Sequence, residues 1–363
     1  MKAYLDNAST TPICEAAKKA ILENLDEFYN PNSSYEAAHQ VKIKVEEARE
    51  KIAELIGTEP TEVYFTSGAS ESNSWVRKNN IVLGSTIEHH SMRSTFMYNV
   101  DENGVIDFNN LNNKVNKLTH WGSLDAVTSI YVNNEIGVIQ PIEEIAKIAH
   151  KYNLLYHIDA TQAFPHMKIN VKELGCDMMS GSGHKFGSLK GCGFLYIKNG
   201  IRMKPLIYGG GQEQAVRGGT TNVLGILAMA AALEDTVEHM DERNEKIAYL
   251  SKKLKDNLFS IKGVAPNINY DKTSHIESIL NFRVDGVRNS DLITMCDRYG
   301  ICISAGSACN EGQAMPSHVL KAIGLTDEQA LSSIRISLSH LNTEEEIDYV
   351  SSILPKIISR LRQ

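Results

Sequence analysis

A chain of 363 residues, 42% hydrophobic and 22% charged, is long enough for two packed units and has the balance of a globular protein, not of a disordered or fibrous one. Its net charge of −7 disfavours nucleic acid as a partner, and no apolar run reaches the ~20 residues that a membrane span needs. The start, Met1-Lys2-Ala3-Tyr4-Leu5, has no basic or apolar leader, and six scattered cysteines (14, 176, 192, 296, 302 and 309) form no C-x-x-C pair; together these predict a cytoplasmic protein with no metal held by thiolates alone.

In chain order, residues 4–12 read as a short strand running into a polar turn. Ala17, Ile21 and Leu25 have the spacing of one helical face and predict a helix over 13–28. The turn cluster at 30–34 offers a serine to cap a second helix, which runs to about Leu55. Val63-Tyr64-Phe65 is a strand, and the small polar turn Thr66-Ser67-Gly68-Ala69-Ser70-Glu71-Ser72 follows it. A strand, such a turn and a helix start predict a phosphate cradle, with free N–H groups and the helix dipole turned on the anion. Further strands are expected at 81–83, leading to Glu88-His89-His90, at 126–131, leading to Asn133-Asn134-Glu135, and at 154–159, ending on Asp159. An amphipathic helix fills 141–151. Polar side chains (Ser70, His89, Asn134, Asp159) thus recur at strand ends, the edge where open α/β sheets bind ligands.

Small residues at 180–183 let the backbone approach a bound group, and Ser182 and His184 offer hydrogen bonds. Lys185 beside them is either a Schiff-base nucleophile, if a dry, partly cationic pocket favours its neutral amine, or an ordinary surface lysine. Glycines at 209–211 and 218–219 mark a loop whose backbone packs against a ligand or a partner chain, ahead of a helical stretch over about 222–260. Beyond about 262, strands at 279–282, 301–303 and 334–338 alternate with helices at 290–299 and 343–361. The last helix carries a capping pair, Thr343 and Glu346. Such mixing predicts a smaller α+β unit.

Taken together, the segments 4–12, 65–72, 132–137 and 157–163, then Ser182-Gly183-His184-Lys185, Arg217-Gly218-Gly219-Thr220, Ser304-Ala305-Gly306-Ser307-Ala308-Cys309 and Arg335-Ile336-Ser337-Leu338, resemble the ordered motifs of NifS/IscS-like cysteine desulfurases. These are pyridoxal-phosphate (PLP) enzymes of aminotransferase class V, and the resemblance runs nearly end to end. It implies a PLP-dependent transferase of fold type I. A large α/β domain over 13–250 would hold a mixed, mostly parallel sheet, and residues 1–12 and 251–363 would form a small α+β domain carrying the catalytic cysteine loop. Lys185 is implied to hold the cofactor as a Schiff base, Asp159 to pair with the pyridinium nitrogen, and Gln162 to bond the ring hydroxyl oxygen. His89, favoured over His90 because it directly follows Glu88, is implied to stack on the ring and move protons.

By the same resemblance, Ala69 (through its backbone), Ser70, Ser182 and His184 hold the phosphate, with Thr220 supplied by the other subunit of a homodimer. Asn7, Asn134 and Arg335 hold the substrate L-cysteine, Arg335 by a two-pronged contact with its carboxylate. Cys309 separates chemistries within the fold. Its thiol, in a Gly/Ala/Ser-rich loop, would take the substrate's sulfur as a persulfide, leave alanine, and pass the sulfur to an acceptor or scaffold protein for iron–sulfur cluster or thio-cofactor synthesis. The alternatives are a selenocysteine lyase, another class V lyase or aminotransferase, and, from a different class, a non-catalytic scaffold of the same fold. The chain departs from the family pattern in places. Only nineteen positions separate Ser70 from His89 (89 − 70), and Asn310-Glu311-Gly312 follows Cys309 in place of the usual Thr-Ser.

Overall fold

The computed structural model describes residues 2–306 and 315–363. Its strands are β1 (Ala3–Tyr4), β2 (Val63–Thr66), β3 (Val82–Ser85), β4 (Phe96–Tyr98), β5 (Ala126–Ile130), β6 (Leu155–Asp159), β7 (Met178–Ser182), β8 (Gly193–Ile197), β9 (Val264–Pro266), β10 (Ile279–Val284), β11 (Ile301–Cys302) and β12 (Ser333–Ser337). Seven of them make one sheet in the order β2-β8-β7-β6-β5-β3-β4. From β7 to β4 neighbouring strands run parallel, while β8 lies antiparallel between β7 and β2. This is the mixed, mostly parallel sheet that the resemblance implies. Ten residues (70–79) of the helix Ala69–Asn79 and the four of β3 fit within the short span from Ser70 to His89.

Strands β5, β7 and β8 are buried along their whole length, so their sequences are runs of apolar and small residues without alternation. The polar groups inside the sheet are paired across it. Thr128 Oγ1 meets His157 Nδ1 at 2.8 Å, and His157 Nε2 meets Ser180 Oγ at 2.9 Å. Burial pushes the His157 pKa down to about 4, so the neutral ring donates one of these bonds and accepts the other.

The core around this sheet includes Val41, Val45 and Ile52 of the helix Glu36–Ile56 and Ile226, Met229 and Leu233 of the helix Val223–Glu238. The expected serine cap at 33–34 does not form: Tyr35 stands at the N-cap with no side-chain bond, and the turn before it closes instead through Asn32 N–H donating to Asn30 Oδ1 at 3.0 Å. Nor is 222–260 one helix. It breaks at His239 into Val223–Glu238 and Met240–Phe259, and Arg243 Nη2 reaches back to Asp235 Oδ2 at 2.8 Å across the break. The apolar residues change allegiance there, since Ile247, Leu250, Leu254 and Leu258 pack in a second core.

That second core lies on the antiparallel sheet β9-β10-β12 and the parallel pair β1-β11. It also takes in Ala3 and Leu5 from the other end of the chain. The final helix, Glu344–Leu361, covers it and opens with the expected capping box of Thr343 and Glu346. From β1 the chain crosses to the large sheet and is tied down beside Lys185: Thr11 N–H donates to the His184 carbonyl at 3.1 Å, and Cys14 N–H to that of Gly187 at 2.9 Å. Among the described residues no helix is long and apolar enough to cross a membrane.

Candidate active site

The C-terminal ends of the parallel strands β3, β5, β6 and β7 share one edge, and a cavity of about 390 Å³ opens there. Strand β7 ends at Ser182, and a turn of 3-10 helix, Gly183–Lys185, carries Lys185 into the cavity. Its Nζ donates to the carbonyls of Ala8 at 2.6 Å and Ser9 at 2.9 Å, on the crossing segment. Asp159, the last residue of β6, is 3% exposed. Its Oδ1 accepts from Thr161 N–H at 3.1 Å and its Oδ2 from Asn73 Nδ2 at 2.7 Å. Gln162 lies one turn on and lines the same cavity, its Oε1 buried with no partner among the described residues. Buried polar atoms are seldom left so, and an orphan facing a cavity marks where a ligand group belongs.

His89 also lines this cavity, and His90 does not: the latter packs edge-on against His318 with ring centroids 4.7 Å apart. Burial lowers the His89 pKa, although Asp159 pulls the other way, so the ring is neutral near pH 7. Beneath it Glu88 is fully buried and pushed up to about 7 by that burial. Its Oε1 accepts from Ser85 Oγ at 2.5 Å and Ile130 N–H at 3.0 Å, which fixes the turn bearing His89 to β5.

At the other end, Ala69 and Ser70 open the helix Ala69–Asn79, and N–H groups in a first turn have no acceptor within their helix. Gly68 before them has φ +148°, and a Cβ on Gly193 would sit 2.6 Å from Gly68 Cα; glycine at both places lets the turn lie directly on β8. Ser182 and His184 border this end of the cavity. Burial first, then the Lys185 and Lys190 charges, pushes the His184 pKa down to about 4. Its Nδ1 lies 3.2 Å from Thr10 Oγ1.

Opposite, Arg335 on β12 is 1% exposed. Its Nη2 donates to Asp6 Oδ1 at 2.7 Å and its Nη1 to the Asn134 carbonyl at 2.8 Å; both Arg335 and Asn134 line the cavity. Asn7 does not. Its Nδ2 is taken by the Ser337 carbonyl at 2.9 Å and the Tyr4 carbonyl at 3.2 Å, and it lines a neighbouring cavity of about 430 Å³ on the far side of Lys185. Thr220 is exposed and away from this chain's cavity. Its loop is nevertheless pinned, because Arg217 Nε and Nη2 grip Glu71 Oε1 and Oε2 at 2.8 and 3.0 Å. Cys309 lies outside the described residues. On either side of its segment, Gly306 and Ser317 both lie against Glu135: Ser317 Oγ donates to Glu135 Oε2 at 2.5 Å, and a Cβ on Gly306 would come within 2.7 Å of that oxygen.

Sequence reasoning passed over Asn73, Ser91, Asp6 and the Glu71–Arg217 pair. A signal existed for Asn73, which stands four residues after Ala69 and so on the same helical face.

Residues 3–350 match the family described as aminotransferase class-V. The chain is 36% identical to the cysteine desulfurase IscS of Methanosarcina thermophila over 380 residues, covering 99% of this chain and 92% of that one. Among solved structures, a NifS-like protein from Rickettsia africae ESF-5 superposes with a TM-score of 0.90 at 30% identity, covering 99% of this chain and 100% of that one. A structure of SspA in complex with cysteine gives a TM-score of 0.78 at 28% identity, covering 94% and 100%.

Proposed function

The chain belongs to the class-V aminotransferase family, and we infer that within it the protein is a PLP-dependent cysteine desulfurase, which converts L-cysteine to L-alanine and hands on the sulfur. The residues at the sheet edge fit the cofactor. PLP presents a phosphate, a protonatable ring nitrogen, a ring hydroxyl and a reactive carbonyl carbon. The cavity offers the helix N-terminus at Ala69 with Ser70, Ser182 and His184, the buried Asp159 carboxylate, the unpartnered Gln162 amide and the Lys185 amine. The observation that carries the reading is that amine, carboxylate and imidazole open from three separate strand ends into one cavity. When bound, PLP draws electrons from the substrate's Cα and weakens the bonds around it.

Lys185 Nζ would hold the cofactor and move the proton at the substrate's Cα. Asp159, itself fixed by Asn73 and Thr161, would keep the ring nitrogen's proton in place, and His89 would cover the ring face. Arg335 and Asn134 would orient L-cysteine by its carboxylate. Cys309 Sγ would then attack the substrate's sulfur. An S–S bond forms, the C–S bond breaks with its electron pair left on carbon, and that carbon takes a proton to become the methyl group of alanine.

The pinned but exposed loop holding Thr220, with Tyr208 in the same loop 82% exposed, supports a homodimer in which Thr220 completes the partner's phosphate site. The persulfide would pass to an acceptor or scaffold protein in the cytoplasm. The test is to supply L-cysteine and a thiol reductant to the PLP-loaded protein and measure alanine and sulfide together. Equal amounts of both are expected, whereas a PLP-loaded protein that leaves cysteine intact would end the reading.

A further inference from the structure

His89 is held from behind by a path of side chains that reaches Asp159. Asn73, fully buried, donates from Nδ2 to Asp159 Oδ2 at 2.7 Å and to Ser91 Oγ at 2.9 Å. Because Ser91 Oγ receives that N–H, its own O–H is free to donate to His89 Nδ1, 2.7 Å away. The Ser91 backbone N–H is turned on the same nitrogen, at 3.3 Å. Two donors at Nδ1 leave no room there for a proton, so a neutral ring must carry its proton on Nε2. Burial, which outweighs the pull of Asp159, keeps the ring neutral. Nε2 has no hydrogen-bond partner among the described residues, and the ring lines the cavity.

We propose that Ser91 is a positioning residue that fixes His89 as the Nε2–H tautomer, and that Asn73 couples this setting to Asp159 by orienting the Ser91 hydroxyl. His89 therefore offers an N–H donor, not a lone pair, to the ligands in the cavity. Accepting a proton would require Nδ1 to give up both bonds from Ser91. The reading of the cavity as the desulfurase site supplies only the identity of those ligands; the tautomer follows from the protein's own groups.

The test is the ring-nitrogen spectrum of His89 in protein labelled with nitrogen-15 histidine. It is taken on the holoenzyme and again after the cofactor is removed, with the signals assigned by their loss in His89→Gln. The wild type is expected to show an unprotonated Nδ1 and a protonated Nε2 in both forms. Ser91→Ala, at a half-buried site, should shift the tautomer ratio about fivefold toward Nδ1–H, the worth of one hydrogen bond. Ser91→Thr, which keeps a hydroxyl, should restore the wild-type ratio. Asn73→Ala should shift the ratio in the same direction and add nothing in the Ser91→Ala background. An unchanged spectrum in Ser91→Ala, or effects of the two variants that simply add, overturns the proposal. A Ser91-dependent tautomer in a protein that leaves cysteine intact would sink the desulfurase reading and leave this one standing.

Discussion

Two of the five N–H donors of Arg335 are bound inside the protein, to Asp6 and to the Asn134 carbonyl, while Nε is buried without a partner among the described residues. A guanidinium held this way is oriented before a substrate carboxylate arrives, and a lysine has no such fork. Arg335→Lys is expected to raise KM for L-cysteine roughly 10- to 100-fold, the worth of a charge-assisted hydrogen bond, with a smaller change in kcat. Steady-state kinetics check it, and an unchanged KM removes Arg335 from the substrate site. Lys185→Ala should lower turnover by roughly 10²–10⁴-fold and abolish fixation of PLP by borohydride. Fixation that persists would place the covalent link elsewhere. Residues such as Lys185, Asp159 and His89 were legible because each ends a strand or its turn in a recognisable motif. Asn73 and Ser91 were not, since their contacts depend on which face of a helix the sheet covers. Asn7 lies off this cavity for a related reason: its amide donors serve the backbone carbonyls of Tyr4 and Ser337, which no motif records, while its Oδ1 is buried without a partner among the described residues.

Among the elements, the glycine-rich loop owes much of its placement to charge. Arg217 grips Glu71 with two bonds, and Arg49 grips Glu213 through Nη1 and Nη2 at 2.8 and 3.0 Å. Burial pushes the Glu71 pKa up, but Arg217 and the Ser67 bonds more than offset it and leave the carboxyl below its usual range. Its stabilising contribution is therefore present above the ordinary carboxylate pKa and fades as pH falls below it. Arg217→Ala leaves that carboxylate half-buried without its partner, and urea unfolding should show a loss of about 1–3 kcal/mol. No loss would mean that the loop is held without Arg217, by its backbone and the Arg49–Glu213 pair. Elsewhere the sequence concealed its elements. The helix Phe108–His120 went unread because five of its thirteen residues are asparagines, which disfavour helix interiors. Its buried Leu111, Val115 and Leu118 do keep helical spacing. The break at His239 was hidden because helical periodicity continues through it while the buried face changes core.

At the scale of the whole molecule, the two larger cores are joined by the N-terminal crossing and the paired helices around His239, and the site sits where the crossing meets the large sheet. The parallel sheet was legible from strands alternating with helices. The antiparallel β8 was not, because a strand buried along its whole length lacks alternation, and neither was β9, whose three residues are too few to show a period. Burial pushes His157, His166, His184, His318 and His340 down to about 4. An unfolded histidine takes its proton near 6.5, so between about 6.5 and 4 the unfolded chain binds more protons and stability drops as pH falls. Burial lowers His89 and His90 in the same sense, while Glu88, raised to about 7, and His275, raised by Glu277 against its burial, act in the opposite one, seven groups against two. The cofactor-free protein should accordingly lose thermal stability steadily from pH 6.5 to 4. A Tm that stays level across that range would mean the histidines are not neutral when folded.

The proposed chemistry moves sulfur from L-cysteine onto the chain itself, at Cys309. It is tested most directly by the mass of the peptide containing Cys309 after the holoenzyme has met one equivalent of L-cysteine in the absence of reductant. One added sulfur on that peptide, matched by one alanine, is the expected result. Alanine released while Cys309 stays unmodified contradicts it.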